Sequence, residues 1–139
     1  MRSVVTVLSA LMLVGGATAP AARAQAQPQR AEMNGPVEFL LTAAATDFHS
    51  HLPHPVRFRK VRVGHVMSPA GTTEYRLCGQ FLPAQERAKA EWTPFVTIKT
   101  SGYEQWLGAQ AVGFCKGSSI TWDKEDLSSS LQSRLDSVR

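Results

Sequence analysis

The chain has 139 residues, 19% of them charged, and a formal net charge of +4. That length suits a single domain behind a leader. Two of the 15 Lys and Arg, Arg2 and Arg23, lie in the leader, which leaves 13 against 11 acidic side chains and a net charge of +2. So mild an excess argues against a nucleic-acid partner, which usually meets a clustered basic face.

Residues 1–26 read as a cleaved secretory signal peptide: Arg2 supplies the positive start, 4–16 form an apolar run, and Ala22-Arg23-Ala24 and Ala24-Gln25-Ala26 are small-x-small sites. Cleavage is expected after Ala24 or Ala26. The apolar run is shorter than the roughly 20 residues of a membrane span. No cysteine sits at the cleavage region to carry a lipid, and no arginine pair marks the folded-export route. The expected product is periplasmic or secreted, without a stable membrane anchor: a lead-in over 27–34 and one domain over 35–139.

After the polar, proline-bearing lead-in, Asn34 or Gly35 can cap a helix with Pro36 at its first position. Val37, Leu40, Leu41, Ala44 and Phe48 then make one apolar face, and the helix is expected to stop near His49, ahead of Pro53 and Pro55. In the next run Val56 and Phe58 share one parity and Val61 and Val63 the other, which predicts a bulge near Arg59-Lys60. By simple alternation Arg57 and Arg59 fall on one face and Lys60 and Arg62 on the other, a solvated strand surface rather than a binding patch.

A turn at 68–72 leads to a strand with Tyr75, Leu77, Gly79 and Phe81 on one face and Arg76, Cys78 and Gln80 on the other. A third strand is expected over 92–100, with Pro94 placing its start at an edge or a bulge. Tyr103, Trp106, Leu107, Ala111 and Phe114 keep helical spacing, so 103–115 is expected to be a helix that presents Cys115 to the sheet. A short edge strand within 118–122 and a final helix with a Leu127, Leu131, Leu135 stripe follow. The fold class is therefore α+β: a three- or four-stranded antiparallel sheet, an N-terminal helix, a helix after the third strand and a C-terminal helix.

Two cysteines in an exported chain read as one disulfide, Cys78–Cys115. Neither belongs to a C-x-x-C pair, which points to a staple rather than a redox catalyst. The candidate metal ligands are His49, His51 and His54, with Asp47 and His65 nearby in sequence, for zinc or copper. Against them, residues two apart do not share a helix face, and a histidine-rich loop fits the same pattern. Trp92, Tyr103 and Trp106 are a candidate partner surface that is more simply read, with Phe95, as core.

The nucleophile-elbow, zincin, S-x-x-K and phosphate-loop patterns are missing, and nothing in the spacing of Glu74, Glu86, Glu91 and Asp123 selects a carboxylate pair. A non-enzymatic binding or accessory protein without a cofactor, acting on another envelope protein, is the leading expectation. A metal-binding protein and an enzyme with a scattered site are the alternatives.

The run Phe58-Arg-Lys-Val-Arg-Val63, then Leu77-Cys-Gly79, Pro94-Phe95, and Trp106 ahead of Cys115 resembles the pattern of a group of small uncharacterised exported proteins of proteobacteria. The likeness covers 55–115. The chain departs from the group after Cys78-Gly79, where 80–89 replaces a loop rich in asparagine and glycine. The group brings no known activity, and the resemblance implies location and fold type.

Overall fold

The computed structural model describes residues 27–84 and 89–138; the expected signal peptide lies outside them. Eight elements follow in order: α1 (Gln27–Ser50), β1 (Pro55–Met67), β2 (Thr73–Pro83), β3 (Thr93–Lys99), β4 (Tyr103–Leu107), α2 (Ala109–Cys115), β5 (Thr121–Trp122) and α3 (Ser128–Ser137). The strands form one antiparallel sheet in the order β4-β3-β2-β1-β5. The α+β class and the disulfide are as expected, with one strand more than the upper expectation. No helix among the described residues is long and apolar enough to cross a membrane.

The larger core lies between one face of the sheet and the helices α1 and α3. Leu40, Leu41, Ala44 and Phe48 of α1 meet Phe58, Val61, Val63, Leu77, Phe81 and Phe95 of the strands, and Leu127 and Leu131 complete the layer. The helical stripe and strand alternation in the sequence dictate this arrangement, since each element has one apolar side to bury. The leucine stripe of α3 is thus spent on its own domain. A smaller cluster on the other face joins Cys78, Val96 and Ile98 to Ala111 of α2, with Trp106 and Phe114 against it.

Helix α1 begins well ahead of the expected Asn34-Gly35-Pro36 start, so the stretch expected as a lead-in is helical and Pro36 lies inside the helix. Gln, Arg, Ala, Glu and Met in 27–33 are good helix formers, and they extend the helix across a proline whose missing donor removes only one backbone bond.

The helix expected over 103–115 is in fact a strand followed by a short helix. Tyr103 to Leu107 pair with β3, and Gly108, at φ 69°, turns the chain into α2. Only glycine adopts that conformation without strain, so the break falls there. Strand β3 is interior over most of its length, with Pro94 at its start paired to β2 alone. Pro94 is tolerated because it precedes the β3–β4 register, which starts at Phe95↔Leu107, and its carbonyl accepts from the Gly108 amide.

The expected bulge in β1 is present. The register slips between Arg59↔Gln80 and Arg62↔Cys78, and Lys60 takes φ 54°. A side chain in that left-handed conformation is strained by roughly 1–2 kcal/mol. Lys60→Gly is expected to raise stability by about 0.5–1 kcal/mol, read as a higher urea midpoint at unchanged slope. Gly64 faces the opposite constraint: a Cβ there would lie 2.6 Å from Cγ2 of Ile120 and 2.8 Å from the Trp122 ring. Gly64→Ala is expected to displace β5 and cost about 1–3 kcal/mol, read the same way.

Candidate functional site

The bulge determines which side chains share the uncovered half of the sheet. Because cross-strand partners point to the same side, Arg57↔Leu82, Arg59↔Gln80 and Arg62↔Cys78 put all three arginines on the disulfide face. The extra residue at Lys60 restores Arg62 to the row that simple alternation would take it from. The expected split of these cations across two faces is therefore corrected.

Beside this row lies a groove of about 430 Å³. Its floor is Cys78, Gly79 and Gln80 of β2. Lys60, Arg62 and Trp122 flank it on the β1–β5 side, and Pro94, Val112 and Cys115 on the side where β3 and α2 stand. Lys116, just past α2, and Asp126 also border it. The disulfide, with Cα atoms 6.0 Å apart, pins the end of α2 to β2 and so builds one wall. Arg76 assists from the same face, donating to the Phe114 carbonyl at 2.8 Å while paired with Glu74.

Arg59 and Arg62 are held in place. The Arg59 guanidinium stacks 4.1 Å from the Trp92 ring centre, and its Nε donates to Gln80 Oε1 at 2.7 Å. Arg62 sits 5.6 Å from the Trp122 ring and donates from Nε and one terminal nitrogen to the Asp123 carbonyl. Among the described residues, none of Arg57, Arg59, Lys60, Arg62 and Lys116 has a carboxylate within salt-bridge distance; the ion pairs are His51–Asp47, Arg76–Glu74 and Arg134–Glu38. Asp126, the single acid at the groove among the described residues, has its pKa lowered by hydrogen bonds from the Ser128 hydroxyl and amide and, less, by the charge of Arg62. It therefore stays ionised as pH falls into the usual carboxylate range. Its contribution is present above the ordinary aspartate pKa and is lost only as pH drops through the lowered one.

The histidines lie elsewhere. His51 Nδ1 is 3.4 Å from Asp47 Oδ1, and His54 Nδ1 meets the Phe48 carbonyl at 3.1 Å. Among the described residues no three His, Cys, Asp or Glu side chains stand close enough together to hold a metal ion. The aromatic trio is dispersed as well. Trp106 pairs with Val96 on the disulfide face and stacks on Phe114, whereas Tyr103, on the face of α1, donates to Asp47 Oδ1 at 3.1 Å. Burial, then the charge of Asp47, raises the Tyr103 pKa. Of these three, only Trp92 stands near the arginine row, against Arg59.

Sequence reasoning set Lys60 and Arg62 aside as a solvated strand surface and did not single out Lys116 or Trp122. The signal for the first two was the parity switch itself, since one inserted residue reassigns every later side chain to the other face. No family model, curated protein or solved structure matches this chain.

Proposed function

We propose that this chain is a non-enzymatic, exported binding or accessory protein of the cell envelope, whose ligand seat is the groove on the disulfide face and whose ligand is anionic. One observation carries the reading: cations that have no carboxylate partner among the described residues gather at a groove that has tryptophan on its rim. Charge that is not neutralised within a fold, on side chains already fixed by stacking and hydrogen bonds, favours an incoming anion at little ordering cost. The groove offers cations, an amide, an indole and a closed disulfide, which suit holding a ligand better than breaking one. The leader pattern and the disulfide support export, in line with the resemblance to small exported proteins.

The test is an NMR titration of the oxidised protein with citrate at low salt. Amide and indole shifts are expected to saturate at Lys60, Arg62, Gln80 and Trp122, and to fade as salt rises toward 0.5 M, a roughly 4 Å screening length. Shifts absent from these positions, or scattered over the surface, would refute the seat.

A further inference from the structure

Resting on that reading, we infer that the ligand is an extended peptide segment of a partner protein, with acidic side chains at alternate positions and apolar ones between them. Two features of the surface select it. The first is the period of the cations. Arg57, Arg59 and, past the bulge, Arg62 form a row along β1 on one face. Side chains of a strand return to the same face about every 6.6–6.8 Å. Acids at every second residue of an extended chain have the same period, so several pairs can form in one register.

The second is the difference between the two flanks. On the β1–β5 side stand Lys60 and Arg62 with the Trp122 indole and, near Arg62, the Asp126 carboxylate; on the side of β3 and α2 stand Pro94, Val112 and the disulfide, with Lys116 only past the helix end. An extended peptide directs successive side chains to opposite sides, and can therefore set its acids against the first flank while its apolar residues meet the second. A nucleic acid or a sulfated glycan is anionic along its length and has no apolar side chains to place there. The donors left on Arg59, two terminal nitrogens clear of its bond to Gln80, can grip a carboxylate in bidentate fashion.

The experiment measures fluorescence anisotropy of a labelled heptapeptide, Glu-Val-Glu-Val-Glu-Val-Glu with blocked ends, titrated with the oxidised protein at low salt. Competitors are an all-glutamate heptapeptide, the Lys-Val counterpart, heparin and a short thymidine oligonucleotide. Three variants accompany it. Arg57→Glu and Lys116→Glu change exposed cations, and Lys60→Gly removes a charge at a position where glycine suits the backbone. Each is expected to weaken the alternating peptide by about three- to tenfold without lowering the melting temperature. Arg57→Glu should also improve binding of the Lys-Val peptide.

Saturable binding of the alternating peptide, tighter than that of every competitor and weakened by the variants, supports the inference. Equal or tighter binding of the all-glutamate peptide, heparin or the oligonucleotide overturns it while leaving the anion seat standing. If the citrate titration saturates and no peptide binds, the peptide inference alone falls. If neither citrate nor any of these polyanions binds, both readings fall.

Discussion

Replacing Cys78 and Cys115 together by alanine is expected to remove roughly 3–4 kcal/mol of stability, the loop-closure value for a separation of 37 residues. Against the 5–15 kcal/mol typical of a domain, that is a large share. The local structure adds to the expectation. Helix α2 has seven residues, only Ala111 of which is fully buried, and no side chain caps its start. A helix so short has no stability of its own in water. The disulfide, the Arg76–Phe114 bond and the small second cluster are what keep it on the sheet.

Urea unfolding of the double variant should show a midpoint lowered in proportion, and wild-type protein held in reductant should behave alike. The sharper expectation concerns the order of events. In the reduced protein the α2 amides, from Gln110 to Cys115, should lose hydrogen-exchange protection before the amides of β2 and β3 do, because the second cluster opens while the first remains closed. Equal loss of protection across α2 and the central strands would show that the two clusters unfold as one.

The second large effect is at Phe48. Its ring is 5.2 Å from Phe58, 5.0 Å from Phe81 and 5.2 Å from Phe95, and the residue is 2% exposed. Among the described side chains of α1 it is the one that meets aromatic rings from β1, β2 and β3 together, edge-on or tilted. Phe48→Ala leaves a cavity among rigid rings that cannot easily close around it, so the cost belongs near about 3–5 kcal/mol. For a domain of this size that is a fall of about 10–25 °C in the melting temperature. Phe39 is the internal control. It lies on the same helix but is 37% exposed, with the Lys99 ammonium 5.0 Å from its ring. Phe39→Ala should cost under about 1 kcal/mol. Similar losses at both positions would contradict the placement of Phe48 at the hub.

The parts of the fold legible in the sequence were those where one periodicity ruled. Leu77, Gly79 and Phe81 alternate against Arg76, Cys78 and Gln80, and both faces of β2 are used as that pattern requires. The turn at 68–72 closes through the Ser68 amide to the Thr72 carbonyl, as its Pro-Ala-Gly content implies. Where two periods competed, the reading failed. Tyr103, Trp106 and Leu107 fit a helix by spacing, yet pairing of 103–107 with β3 satisfies backbone groups that β3 would otherwise leave at an edge. The start of α1 was hidden for a related reason: a proline that commonly opens a helix sits here in its interior.

The groove was the least legible part. Its residues come from β1, β2, β3, α2, β5 and the chain before α3, and no short motif can announce a site gathered from so many places. The one local clue, the parity switch at Lys60, was readable as a bulge. Its effect on Arg62 required knowing which strand lay alongside and in what register.

The two helices that close the larger core lie at opposite ends of the sheet in chain order, and this governs how the molecule must assemble. Strands β1 to β4 are a meander of sequence neighbours, so they can pair as they are made, through short loops of small entropic cost. Leu127 and Leu131, by contrast, reach Leu40, Leu41 and Phe48 only after β5 has crossed to the far side of β1. Until then the part of the apolar side of α1 that faces α3 and the flank of β1 at Val61 stay uncovered, the kind of surface that promotes wrong association. The growing chain therefore carries an open seam through most of its synthesis, and sealing it is the last long-range step.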